Sequence, residues 1–203
     1  MSTSYVTFDE GTSRKVRTFQ RTDGVDTVEE WMYVQSESLF DTYTIYAGTI
    51  ATSTVNSHLL QIMAGGSNRV GIKGITIYQS GAATTADHFP IDIHRLTTAG
   101  TGGTAITAYP LDPASSAAGA TGMSLPSSKG TEGIRPGGRV RGPVETAVAS
   151  ATGPMLDIVY GANNTKPIYI AAGTSNGICL KNPVADATLT LDIFVTIIEA
   201  DWA

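Results

Sequence analysis

The stretch Leu189-Thr-Leu-Asp-Ile-Phe-Val-Thr-Ile197, near the end of the chain, decides the fold. Its aliphatic side chains occupy five successive alternate positions: Leu189, Leu191, Ile193, Val195 and Ile197. A strand places such residues on one face, whereas a helix would scatter them around its surface. Threonine and aspartate fill the positions between them, with Phe194 as the apolar exception. The stretch therefore predicts a strand with one face in a core.

Shorter segments of the same kind precede this stretch, separated by turn residues. Strands are predicted at Thr44–Val55, His58–Ala64, Arg69–Tyr78, Phe89–Ile93, Thr104–Tyr109, Met123–Leu125, Leu156–Tyr160, Ile168–Ile170 and Ile178–Leu180. Within Arg69–Tyr78 the apolar residues change phase at Lys73-Gly74, as a β-bulge requires. The sequence shows no amphipathic helix of three turns. We predict an all-β, antiparallel and jelly-roll-like β-sandwich of about eight to ten strands, with another Greek-key sandwich as the alternative.

The first forty residues differ in composition from the rest. Between Thr7 and Glu30 apolar residues are sparse and charged residues of both signs are frequent. Such a segment forms a core poorly and is ordered mainly by a partner. We predict an extended N-terminal arm over residues 1–40, with one strand at Lys15–Arg21, and a β-sandwich domain over residues 41–203. Glu30–Gln35 fits either a short strand or a helical turn.

The low charge of the chain indicates surfaces that touch other proteins. Of its 203 residues, 15% are charged and 22 are glycine, whereas a free monomer usually carries more charge. A secreted β protein with a neutral surface is the alternative. The net charge of -5 disfavours nucleic-acid binding. Only the segment Lys129–Arg141 is clearly basic, and a solvated loop is its simplest interpretation.

Cysteine content and the start of the chain limit the class of protein further. Cys179 is the single cysteine, which excludes an intrachain disulfide and a cysteine-rich metal site. Its apolar neighbours Ile178 and Leu180 suit a buried, inert thiol. Residues 1–9 lack the basic start and apolar block of a signal peptide, and no apolar run approaches a membrane span. We therefore expect a soluble protein made in the cytosol.

One segment matches a catalytic motif. Gly173-Thr-Ser-Asn-Gly177 fits the nucleophile pattern G-x-S-x-G around Ser175. That motif works at a strand-to-helix turn, and here Ile178–Leu180 and Asn182-Pro183 follow instead. We predict a hairpin turn at this position and no hydrolase site.

A metal site would have to use the histidines. Asp92 and His94 lie two apart on one predicted strand face, with Asp87 and His88 nearby. Two-apart spacing presents two ligands together, and His58 or another acid would supply a third. The favoured alternative is the polar outer face of a half-buried strand.

No other residues suggest chemistry. Four acids flanked by loop residues form no evident pair for glycoside hydrolysis: Glu132, Glu145, Asp157 and Asp186. Gly100–Gly103 lacks the G-K-[ST] ending of a phosphate loop. A carbohydrate platform would have to use four aromatic residues: Trp31, Tyr33, Tyr109 and Tyr169. We predict no catalytic, cofactor-binding or metal-binding residue.

The middle third of the chain resembles a family of tailed-bacteriophage virion structural proteins. The resemblance is carried by His58-Leu-Leu-Gln-Ile-Met-Ala64, the Ile75/Ile77 strand, Arg95-Leu-Thr-Thr-Ala-Gly-Thr-Gly-Gly-Thr104, Pro110-Leu-Asp-Pro113 and Ala117-Ala-Gly-Ala-Thr121. These motifs are compositional in character, and the family has no catalytic motif to transfer.

The resemblance implies a non-enzymatic protein of the virion, assembled in the host cytoplasm, that decorates or stabilises a phage capsid. It implies contacts with the major capsid protein or other virion proteins, and a homo-oligomer with a trimer as the favoured form. Within the same class, a tail or head-fibre component is the alternative. A receptor- or carbohydrate-binding sandwich is the alternative from another class.

Overall fold

The computed structural model describes residues 3–7, 15–23, 26–31, 40–147, 153–161 and 167–200. The chain divides into two units, Met1–Leu39 and Phe40–Ala203. The described residues form fifteen strands and no helix. The predicted all-β class is confirmed.

The first unit is a three-stranded antiparallel sheet. It consists of β1 (Thr3–Thr7), β2 (Lys15–Asp23) and β3 (Asp26–Trp31), in the order β1-β2-β3. The strand predicted at Lys15–Arg21 lies within β2. The role of this unit as an arm stays a prediction. Most of Glu30–Gln35 lies outside the described residues, because these end at Trp31 and resume at Phe40.

The second unit contains twelve strands. They are β4 (Asp41–Ala51), β5 (His58–Met63), β6 (Arg69–Gln79), β7 (Asp87–Leu96), β8 (Thr104–Ile106), β9 (Ala108–Pro110), β10 (Thr121–Ser124), β11 (Arg139–Val144), β12 (Leu156–Val159), β13 (Ile168–Ile170), β14 (Gly177–Lys181) and β15 (Thr190–Ala200). Sheet I has the order β11-β7-β14-β5-β10-β8, and sheet II the order β12-β6-β15-β4-β9, with β13 also paired to β6. All the pairings are antiparallel, so the predicted antiparallel β-sandwich is confirmed.

The strand order suggests how the sandwich is wound. Four neighbours lie in sheet II, β4-β15-β6-β12, and four in sheet I, β5-β14-β7-β11. Along the chain these eight strands change sheet at every step except between β7 and β11. The jelly-roll winding of the sandwich stays a prediction. The short strands β8, β9 and β10 extend the two sheets beyond these eight strands.

The core lies between the sheets, and β15 is central to it. Ile193, Val195 and Ile197 are fully buried on the inner face of sheet II. Inward side chains of sheet I form the opposite wall: Leu60, Ile62, Ile91, Ile93, Ile178 and Leu180. Alternating sequence patterns therefore become two apolar faces that bury each other.

The bulge predicted in the Arg69–Tyr78 segment is confirmed. Opposite β15, Gly74 pairs with Thr196 and Ile72 with Ile197, which leaves Lys73 as the extra residue. Because side chains alternate along a strand, one extra residue restores the core direction for both halves of β6. Ile72 and Ile75 are consequently both fully buried.

Two predictions about strands are wrong. Thr104–Tyr109 is not one return strand: β8 pairs with β10 in sheet I, and β9 pairs with β4 in sheet II. The chain crosses between the sheets there, which a continuous strand could not do. The count of about eight to ten strands is too low, partly because no strand was predicted at β11, whose first three residues lie in the segment Lys129–Arg141 that was interpreted as a loop. That strand contains Gly142 and Pro143, which is possible because β11 lies at the edge of sheet I.

The central position of β15 gives a direct test of the fold. Replacement of Ile193 by Ala should lower the free energy of unfolding by about 2–5 kcal/mol, because it leaves a cavity between the sheets. Thr196→Ala, on the outer face of the same strand, should change it by less than about 1 kcal/mol. Urea denaturation of both variants measures the difference. Equal effects would contradict the assignment of the two faces.

Candidate functional site

A row of ionisable side chains crosses the outer face of sheet I. Arg139 of β11 pairs with Asp92 of β7, Asp92 pairs with Lys181 of β14, and Lys181 pairs with His58 of β5. Residues that pair across strands point to the same side of a sheet. Asp92 and Lys181 lie opposite the core because Ile91, Ile93 and Leu180, one position away, point inward. The register between β14 and β5 shifts at Leu180/Lys181, and His58 thereby reaches Glu132 on the same outer face although Leu60, two positions further on, points inward.

Arg139 and Asp92 form a two-pronged ion pair. Arg139 Nε donates to Asp92 Oδ1 at 2.7 Å, and Nη2 donates to Oδ2 at 2.8 Å. Arg135 adds a bond from Nη1 to Oδ2 at 3.3 Å. Asp92 is only 4% exposed. The Arg139 hydrogen bonds lower the pKa of Asp92, against the opposing effect of burial.

Glu132 lies in the loop between β10 and β11 and reaches the same face. Its carboxylate accepts a hydrogen bond from Lys181 Nζ at 2.9 Å and contacts His58 Nε2 at 3.1 Å. His94 Nδ1 lies 3.6 Å away. Burial acts to raise the pKa of Glu132, but the bonds from Lys181 and His58 outweigh burial and lower it. One carboxylate thus connects the loop to β5, β7 and β14.

His58 is the most enclosed member of this group. Its side chain is fully buried, and Nδ1 has no hydrogen-bond partner among the described residues. Burial lowers the pKa of His58 more than the contact with Glu132 raises it. The ring is therefore held in its neutral form at neutral pH, with Nε2–H directed to the carboxylate.

The arrangement corresponds to the polar-face interpretation of the Asp92/His94 pattern. The structure does bring Asp92, His94 and His58 into one network, as a metal site would require. Yet Lys181 and Arg139 occupy the positions next to the carboxylates where a cation would bind. In the part of the chain that the structure describes, no group of three or more His, Cys, Asp or Glu residues could hold a metal ion.

The other members of that pattern lie apart from the network. Asp87 and His88 are exposed at the start of β7, 3.9 Å from each other. The basic residues of Lys129–Arg141 are exposed, as the interpretation as a solvated loop requires, but three of them also bind groups within the chain. Arg135 and Arg139 bind Asp92, and Lys129 Nζ donates to the carbonyl of Asn56.

Gly173–Gly177 forms a turn, and no helix follows it. Asn176 N donates to Gly173 O at 2.9 Å, and β14 begins at Gly177. The predicted hairpin is nevertheless wrong, because β13 lies in sheet II and β14 in sheet I. The turn joins the two sheets. Ser175 therefore lacks the strand-to-helix geometry of a nucleophile elbow.

The four acids considered for glycoside hydrolysis have separate local roles. Glu132 binds Lys181, Asp157 accepts from Thr76 Oγ1, and Asp186 accepts from Thr84 and the backbone of its own loop. Glu145 contributes its backbone to bonds with Gln79. These contacts account for the acids as structural residues.

Glycines in the Thr97–Gly103 segment permit close packing within the chain. Gly100 N and O bind the side-chain amide of Gln61, and a Cβ at Gly100 would lie 2.6 Å from Ser128 O. A Cβ at Gly130 would lie 2.2 Å from Thr98 O. Two loops thus press against each other over sheet I, and larger residues would separate them. No phosphate-loop geometry is present, because β8 rather than a helix follows.

Cys179 lies under these loops. It is fully buried on the outer face of β14 and packs with Met63 and Leu96. Burial, aided by the charge of Glu132, raises the pKa of the thiol to about 12. The structure therefore accords with the expected buried, inert thiol.

The outer face of sheet II carries an aromatic cluster that sequence reasoning missed. Phe194 stacks on Tyr46 with ring centroids 4.5 Å apart, and Tyr78 meets Phe194 edge to face at 5.8 Å. All three are exposed by 36–47%. The sequence did signal Phe194, as the one apolar residue at an outward position within Leu189–Ile197. We call these three residues the aromatic cluster.

The four aromatic residues considered for sugar binding do not form one platform. Tyr109 lies on β9 and is 66% exposed. Tyr169 lies on β13, where its carbonyl accepts a hydrogen bond from Arg95. For Trp31 the structure describes the backbone alone, and Tyr33 lies outside the described residues.

Comparison with known proteins identifies no relative. No family model matches the chain, and neither a curated protein nor a solved structure matches it. Across the described ranges, no helix is long and apolar enough to cross a membrane.

The Arg139–Asp92 pair gives a pH-dependent prediction. Because the pKa of Asp92 is depressed in the folded state, its stabilisation is present above the ordinary aspartate pKa of about 3.9 and is lost as the pH falls through the folded value. Arg139→Ala should therefore lower the Tm by several degrees at pH 7 and by less at pH 3. Thermal denaturation at both pH values measures this.

Arg141→Ala is the matched control, since Arg141 is exposed two residues further along β11. It should have little effect at either pH. A loss for Arg139→Ala that is equal at pH 7 and pH 3 would show that Asp92 ionisation is not involved.

Proposed function

We propose that this protein is a non-enzymatic structural protein of a phage virion, which decorates or stabilises the capsid through protein–protein contacts. Its partner in this proposal is the major capsid protein, and it acts as a homo-oligomer, with a trimer as the favoured form. The proposal draws on the resemblance of the His58–Thr121 region to virion proteins, and one structural observation supports it: the aromatic cluster on the outer face of sheet II.

The aromatic cluster suits a protein interface. Tyrosine and phenylalanine are enriched in interface cores, where they contribute large contact areas at small entropic cost. Around the cluster, the outward side chains are mostly short, and they include two carboxylates: Asp192 pairs with Tyr78 across the strands, and Asp157 accepts a hydrogen bond from Thr76. Thr76 pairs with Phe194 across the strands, and Thr44 and Thr196 form the neighbouring row. An exposed aromatic cluster flanked by short side chains can pack closely against another protein.

The charge distribution supports the same role. The ionisable groups on the outer face of sheet I bind one another, as the contacts of Asp92 and Glu132 illustrate. The motifs considered for catalysis occupy structural positions. The charged groups of this protein bind its own loops, and its aromatic side chains are exposed. This combination fits a structural role in an assembly better than a catalytic role.

Two alternative functions can be distinguished from this proposal by experiment. A tail or head-fibre component would use the same kind of surface at a different place on the particle, which an electron-microscopy map distinguishes. A carbohydrate-binding module is favoured by one observation, the exposure of Tyr109. A glycan-array signal lost in Tyr109→Ala, together with absence of shell binding, would replace the capsid proposal.

Binding to empty shells that lack the protein tests the aromatic cluster. The double variant Tyr46→Thr/Phe194→Thr keeps strand-forming residues but removes both stacked rings. We expect its affinity for shells to fall by about tenfold or more. Val184→Thr, an exposed apolar residue in the loop before β15, is the control and should bind normally. Normal binding of the double variant would exclude this face as the docking surface.

Removal of the first unit tests the arm. Deletion of residues 1–35 should leave the β-sandwich folded, because its core comes from residues 43–198. Binding to shells should weaken, because an arm adds contact area beyond the edge of a domain. Circular dichroism and shell sedimentation give the two readouts. An unfolded truncation, or binding as strong as that of the full chain, would refute the arm prediction.

A further inference from the structure

The loop between β10 and β11, Leu125–Gly138, is attached to sheet I in two ways. Its backbone continues the edge of the sheet: Arg95 N donates to Ile134 O at 2.8 Å, and Thr97 N donates to Thr131 O at 3.0 Å. Its Glu132 side chain binds groups on three other strands. The second attachment depends on charge, so pH can act on it.

Glu132 faces basic groups from each element packed around it. His58 comes from β5, His94 from β7 and Lys181 from β14, at 3.1, 3.6 and 2.9 Å from the carboxylate oxygens. Lys129 of the same loop also acts on His58 electrostatically. Beyond His94, at 4.0 Å, lies Asp92, which Arg135 and Arg139 already neutralise.

The closed loop accommodates the neutral form of His58. The Nε2 atom has its partner in Glu132, whereas Nδ1 is buried with no partner in the described structure. A second proton would have to reside at Nδ1, without an acceptor and near the cations Lys129 and Lys181. A buried donor left unpaired is costly, and a buried charge more so. Protonation of His58 is therefore favoured only after the loop has moved and water has entered.

The loop covers a small apolar cluster. Leu96 forms a β-bridge with Glu132, and it packs with Met63 and Cys179. Gln61, which pairs with Cys179, holds Gly100, and Gly100 lies against Ser128 of the loop. Movement of Ser128–Glu132 would expose this cluster without disturbing the core between the sheets.

We propose that Leu125–Gly138 is an acid-sensitive latch, closed while His58 is neutral and opened locally when His58 takes up a proton. This device is independent of the virion role proposed above. The open loop binds a proton near the ordinary histidine pKa of about 6.5, and the closed loop does not, so acidification favours opening. The open population should rise about tenfold between pH 7.5 and pH 5.5.

Cys179 is a built-in reporter of the latch, because it is the single cysteine and lies beneath the loop. The rate of its modification by 4,4′-dithiodipyridine, which reacts at acid pH, is measured from pH 7.5 to 5.5. A short cysteine peptide at each pH corrects for thiol chemistry. We expect the corrected rate to rise about tenfold in the full-length protein, with an unchanged circular dichroism spectrum.

Substitutions distinguish the role of His58 from that of His94. His58→Gln keeps a neutral amide and should make the corrected rate independent of pH, and His58→Asn serves if the first variant does not fold. His94→Gln should retain the pH dependence. Glu132→Gln should raise the rate already at pH 7.5.

Four results would overturn the latch. They are a flat profile in the unaltered protein, the same profile in the His58 variants, loss of the profile in His94→Gln, or loss of the β-sheet spectrum over the same pH range. The last result would show general unfolding rather than local opening.

Discussion

Mutual burial of two aliphatic sheet faces is the constraint on which the sandwich depends. β15 lies between β4 and β6 in sheet II, and its residues Ile193, Val195 and Ile197 are excluded from water. At roughly 25 cal/mol per Å² of apolar surface, such side chains dominate the favourable free energy of folding. The bulge at Lys73 matters for the same reason, because without it half of β6 would turn its isoleucines outward. Register, and with it every outward residue, follows from this burial.

The outward faces of the two sheets have opposite chemical character. Sheet I carries a paired charge network, with Asp92 and Glu132 each bound by basic side chains, and a loop lies against it. Sheet II carries the stacked rings of Tyr46 and Phe194. Both faces follow from the alternation of side chains along a strand. The inward positions must be aliphatic, whereas the outward positions between them can hold other residue types. On sheet I the outward residues bind the loop Leu125–Gly138. On sheet II they include large aromatic side chains that are exposed to water.

The sequence predicted the parts of the fold that depend on local alternation. β15 and the Lys73–Gly74 bulge were evident, because their patterns extend over many residues. β11 was not evident, because Gly142 and Pro143 are rare in strands other than edge strands. The crossing between the sheets at Thr107 was not evident either, because it depends on how the sheets pack. The polar face around Asp92 was predicted, but Glu132, which binds Lys181 and His58 on that face, lies in a loop 40 positions away from Asp92. Only the tertiary fold brings the two carboxylates to the same face. The aromatic cluster joins three strands that no local pattern connects. Likewise, the low charge and high glycine content of the chain suggested surfaces that touch other proteins, whereas Gly100 and Gly130 permit close contact between two loops of the same chain.

The position of Cys179 has a consequence for the life of the molecule outside a reducing environment. Disulfide exchange and oxidation both begin with an accessible thiolate. A thiol that keeps its proton and is shielded by two loops offers neither. While the loop is closed, Cys179 is therefore protected from disulfide formation in reducing and oxidising surroundings alike.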